Sequence, residues 1–162
     1  MKAVVMLTKV FFKEHPKGGQ ETHFADLVRT GGKIHTCRDN SEYWTKKIDR
    51  LKAAGGTLSI REWEGKPYRS RQITVADIPA EKVGVSEITV TRYYIHVLPT
   101  TDRPLKAYRA TINGRLVQMR ELARNDGFSR TQDFVDFIDP LFDKYQSETI
   151  RLAIIHFTDF RY

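Results

Sequence analysis

Apolar side chains recur along the chain at two spacings, and the switches between them divide it into elements. Phe24, Leu27 and Val28 fall at i, i+3 and i+4, which predicts a short amphipathic helix over residues 21–30. Gly31 and Gly32 follow it, and both are expected to supply the positive φ that ends a helix. Trp44, Ile48 and Leu51 share a face of a second helix over 41–54, with Ser41 as its N-cap and Gly55-Gly56 as its stop. Strands read at 1–12, 57–63, 71–76, 86–91, 93–98 and 106–112, with turns at Glu64-Gly65-Lys66-Pro67 and Asn113-Gly114. The last third returns to helical period. Leu116, Met119, Leu122 and Ala123 predict a helix ended by Gly127. Phe134, Phe137, Ile138, Leu141 and Phe142 predict another, capped by Ser129 and kinked or split at Pro140. Residues 150–157 read as a buried strand. Helices and strands do not alternate strictly, so the fold class is α+β with a mixed or barrel-like sheet rather than a doubly wound one.

Composition narrows the partners. At 162 residues the chain is expected to be one domain that buries a core without disulfides. Its single cysteine, Cys37, excludes an internal disulfide and zinc held by a set of cysteines, and fits a reducing cytoplasm. No run reaches the length of a membrane span, and the apolar start reads as a first strand rather than a signal peptide. Net charge is +7, which favours polyanionic partners through counterion release, although a merely solvated basic face is the competing reading.

The chemistry concentrates in Gly31-Gly32-Lys33-Ile34-His35-Thr36-Cys37-Arg38, a hinge followed by a short alternating strand. Strand alternation places Thr36 and Arg38 on one face and Lys33 on the other, unless Gly32 bends the chain. His35 and Cys37 share the opposite face, with Cys37 read as a buried small hydrophobe and His35 as a hydrogen-bonded barrel residue rather than a base. A solvated lysine beside a cross-strand threonine is the plain alternative to a site.

The order helix, Gly31, Lys33, Thr36, Arg38 resembles the ASCH (activating signal cointegrator homology) family. A second match lies in residues 122–129, Leu-Ala-Arg-Asn-Asp-Gly-Phe-Ser, followed by Asp133-Phe134. The resemblance spans roughly residues 3–38 and 116–158. It implies a PUA-like mixed β-barrel with peripheral helices, the PUA domain being named for pseudouridine synthase and archaeosine transglycosylase. It also implies a cleft that binds RNA or a nucleotide-like ligand. One bacterial branch is an amidohydrolase that deacetylates N4-acetylcytidine, and the resemblance carries its catalytic roles onto Lys33, Thr36 and Asp126. The chain is longer than that branch, with a segment around 40–72 that looks inserted. Ile34 stands where the hydrolase has a second threonine, and Asp126 is one methylene shorter than its glutamate.

In that hydrolase reading Lys33, if neutral, takes the Thr36 proton, Asp126 positions it, and Arg38 holds a carbonyl or phosphate oxygen. Residues 61–71 interleave cations with two aromatics, which suits Trp63 and Tyr68 stacking on bases beside Arg69, or else a hairpin packed on the core. Arg120 and Arg124, four apart on a helix near Asp126, offer a phosphate-binding rim. His15, His23, His96 and His156 lack metal-ligand spacing, no phosphate-cradling glycine loop occurs, and no cofactor is expected. The expected function is binding of RNA or a nucleobase-like ligand in a basic cleft. The amidohydrolase is the first alternative. A protein-interaction module that docks through the Trp44 helix is the second.

Overall fold

The computed structural model describes residues 1–96 and 104–162. Its elements run β1 (Lys2–Met6), α1 (Phe24–Thr30), β2 (His35–Arg38), α2 (Ser41–Ala53), β3 (Thr57–Trp63), β4 (Gln72–Pro79), β5 (Gly84–Ile95), β6 (Leu105–Ile112), β7 (Arg115–Val117), α3 (Met119–Asn125), α4 (Thr131–Lys144) and β8 (Thr149–His156). The class is α+β. Among the described residues the strands form two separate sheets, β1-β3-β4 and β2-β8-β5-β6-β7, so the expected barrel is not closed.

β1 pairs with β3 in parallel, and the crossover between them carries α1, β2 and α2. The larger sheet is antiparallel throughout. β8 lies inside it and is buried continuously from Leu152 to His156, because α2 and α4 both pack on it. The segment 40–72 contributes to the core: Ile48, Leu51, Leu58 and Ile60 are each fully buried.

Several local expectations shift. The N-cap of α2 is Asn40, whose side chain accepts from the Tyr43 amide, while Ser41 turns its hydroxyl to Glu87 at 2.6 Å. Of the two glycines only Gly31 takes a positive φ (81°); a Cβ at Gly32 would lie 2.9 Å from Leu27 Cδ2, whose side chain would have to shift. Strands expected at 86–91 and 93–98 are one strand, β5, described to Ile95; positions 97–98 lie outside the described residues. Leu116 belongs to β7, set by the Asn113-Gly114 turn in which both residues have positive φ. α4 begins after Arg130 with no side-chain cap, so Ser129 does not cap it. It also runs through Pro140 unbroken, because Phe134, Ile138 and Phe142 on either side of the proline are anchored in the core. Trp44 is half-buried under the Lys47 ammonium, 4.9 Å from its ring, and no helix among the described residues is long and apolar enough to cross a membrane.

Candidate functional site

β2 is an edge strand only four residues long, and what covers its free edge creates the site. The Cys37 amide has no strand to bond and donates instead to Asp126 Oδ2 at 2.8 Å. Asp126 stands at the C-terminal end of α3, where Gly127 takes φ 89° and reverses the chain. One residue earlier, the Asn125 carbonyl accepts from the Ile34 amide at 2.9 Å. The turn at 125–127 therefore closes the sheet edge with its backbone and one carboxylate.

Lys33 completes this closure. It lies two residues before β2, so strand alternation does not apply to it and its side chain runs toward Asp126. Its ammonium donates to both the carbonyl and Oδ1 of Asp126 and sits 4.2 Å from the Phe24 ring centre, with 2% of the residue exposed. Its stem packs against Gly127, where a Cβ would meet Lys33 Cβ at 3.2 Å. Burial pulls the Lys33 pKa down, and Asp126 opposes that pull. Burial likewise raises the Cys37 thiol, reinforced by Asp126.

Behind β2 lies a buried polar chain that the sequence pattern does not reveal. His35 Nε2 meets the Tyr162 hydroxyl at 2.7 Å, which also accepts from Asn125 Nδ2 at 3.1 Å. His35 Nδ1 points to Asp126 Oδ2 at 3.8 Å and has no hydrogen-bond partner among the described residues. Its register partner His156 is held by Ser86 at 3.0 Å. Burial lowers the two imidazoles to about 4 and about 3 respectively, so both are neutral at pH 7.

Arg38 forms the outer part of the site. Its Nη2 donates to the Met6 carbonyl, while its buried Nε has no partner among the described residues. Three cavities meet at this side chain. The innermost, about 20 Å³, is bounded by Thr36, Cys37, Asp126 and a phenylalanine wall of Phe24, Phe128 and Phe137; that volume holds about one water. A second, about 470 Å³, is apolar, with Phe12, Phe137, Pro140 and Leu141. A third, about 500 Å³, is lined by Lys9, Trp63, Lys66 and Tyr68. Trp63 and Tyr68 lie 5.3 Å apart between ring centres, and Tyr68 is 89% exposed with φ 62°. An exposed aromatic held in the left-handed region stores strain at the mouth of a cavity.

The fold thus brings together Lys33, Thr36, Arg38 and Asp126, and it adds Trp63 and Tyr68 through Arg38. Arg69 is exposed on the same hairpin but lines none of the three cavities, and neither do the exposed Arg120 and Arg124 of α3. Lys9 and the Phe12–Phe137 cavity had no motif to announce them, since Phe137 reads simply as part of a core helix face. No family model, curated protein or solved structure matches the chain.

Proposed function

We propose that this chain is an ASCH-type, PUA-like domain that binds RNA or a nucleobase-like ligand in the basic cleft around Arg38. The observation that carries the reading is Arg38 itself: a guanidinium with an unpaired, buried N–H set between an aromatic, lysine-edged cavity and an apolar one. An arginine so placed offers hydrogen bonds to a base edge or a phosphate oxygen, while Trp63 and Tyr68 offer flat faces to stack on. The Lys33–Asp126 pair supports the cleft from beneath by fixing β2 and the 125–127 turn. Calorimetric titration with nucleoside monophosphates and a short single-stranded RNA tests the reading. Arg38→Met is expected to weaken binding at least about tenfold, as loss of a charge-assisted bond of ~1.5–3 kcal/mol requires. Unchanged affinity in that variant counts against it.

The amidohydrolase reading is favoured by one observation, a buried lysine of lowered pKa whose carboxylate partner shares a cavity with Thr36. Against it stands the size of that cavity, which admits about one water and not a nucleoside. Turnover therefore requires the phenylalanine wall to move. Acetate release from N4-acetylcytidine that vanishes in both Lys33→Ala and Thr36→Ala would establish it; no release by folded protein removes it.

A further inference from the structure

We propose that His35, Cys37 and Asp126 form a zinc-binding site. The three ligand atoms come from one face of β2 and from the turn after α3, and they lie within 4.8 Å of one another. This is an imidazole, a thiol and a carboxylate, the donor set of a borderline-soft divalent ion. Two residues apart in a strand, His35 and Cys37 point the same way, and Asp126 closes the third side.

A second observation separates this cluster from an accidental one. His35 is fully buried, and its Nδ1 has no hydrogen-bond partner among the described residues although it faces Asp126 Oδ2. An unpaired buried ring nitrogen is costly, and a metal ion is one of the few species that repays it. The outer contacts also match what ligating groups need. Tyr162 holds the other ring nitrogen of His35, and Lys33 and the Cys37 amide hold Asp126, so two of the three ligands are fixed by neighbours.

Geometry allows the ion with small movements. Tetrahedral zinc with bonds of about 2.0–2.3 Å sets its ligands roughly 3.3–3.7 Å apart, so the 3.8 Å His35–Asp126 separation closes by about half an ångström and the others, all within 4.8 Å, by about 1 Å or less. Cys37 and Asp126 also border the cavity of about 20 Å³, which has room for one water as a fourth ligand. Charge balances when the Cys37 thiol and the Lys33 ammonium each release a proton to solvent on binding: thiolate and carboxylate then neutralise Zn²⁺, and the neutral Lys33 amine still donates to Asp126 Oδ1. The competing arrangement is that Lys33 alone is the cation Asp126 needs, and then no metal binds.

Cobalt distinguishes the two. Chelator-treated full-length chain, shown by circular dichroism to be folded, is titrated with Co²⁺ and then displaced with Zn²⁺. One equivalent is expected to produce visible d–d bands and a near-ultraviolet thiolate charge-transfer band, both abolished by zinc. In Cys37→Ser the charge-transfer band should disappear and the affinity fall at least about 100-fold, beyond the loss typical of an outer-shell change. Should Cys37→Ser fail to fold, the charge-transfer band of the unmodified chain decides alone, because Cys37 is its only thiol. Folded protein that binds no cobalt, or binds it without the thiolate band, overturns the site. Neither result depends on whether the Arg38 cleft binds RNA.

Discussion

At Lys33 a full ammonium is held away from water by one carboxylate, one carbonyl and an aromatic ring. Removing one partner of such a pair leaves the other charge buried and unpaired. Lys33→Met is therefore expected to cost about 3–5 kcal/mol in urea denaturation, and adding Asp126→Asn should recover most of it. Asn at 126 still accepts from the Cys37 amide, so incomplete recovery would show that the carboxylate is needed for something besides Lys33. Gly127 is constrained twice, by φ 89° and by the Lys33 stem, so Gly127→Ala should cost at least about 1–2 kcal/mol. Tyr68 carries the opposite expectation. Tyr68→Asn relieves a left-handed φ of 62° at a fully exposed side chain and should raise stability by up to about 1 kcal/mol. The same change should weaken ligand binding. A substitution that stabilises the fold while weakening binding is what strain kept for function looks like.

These residue-level features were unequally legible. The Gly31–Arg38 segment and the Asp126-Gly127 turn stand out in the sequence because their residue types are unusual and adjacent. Their meeting does not, since 93 residues separate Lys33 from Asp126. Strand alternation does not extend to Lys33, because β2 begins two residues after it. The His35–Tyr162–Asn125 chain had no local signature at all.

Elements were easier to read where burial is one-sided. β3 is legible to its observed bounds because its turn chemistry and hydrophobic run agree. β7 reads in the sequence as part of the helix after it, because three residues cannot show a period. α4 keeps its course through Pro140 for a reason that propensity cannot express, namely tertiary anchoring. That helix is also tied to β5 by Arg92, buried among Asp139, Asp143 and Glu148, which raise its pKa. Arg92→Leu strips this link and leaves three carboxylates facing one another. We expect a loss of about 2–3 kcal/mol, below the value for a fully buried pair because Asp143 and Glu148 are more than half exposed.

The molecule as a whole joins two sheets through a crossover that carries the site strand, so the site and the core are not independent. Acid should expose this coupling. His35 and His156 ionise at about 4 and about 3 in the fold against an ordinary 6.5, so below pH 6.5 the unfolded chain binds more protons. Their contribution is complete above pH 6.5 and is lost as pH falls toward 4, by about 3 kcal/mol from His35 alone. Urea midpoints at pH 7 and pH 4.5 read it directly, and a His35→Gln variant should show a shallower fall. The proposal that the Arg38 cleft receives a base and its phosphate is tested most directly by one measurement. It is the equilibrium binding of a labelled single-stranded RNA to the wild-type chain and to Tyr68→Asn, each at low and at moderate salt. Wild-type binding is expected to weaken with salt, and the variant to lose 5- to 150-fold in affinity, equivalent to the ~1–3 kcal/mol of one stacked base, with a similar salt slope. Wild-type binding that is absent, or equal in the two proteins, would contradict it.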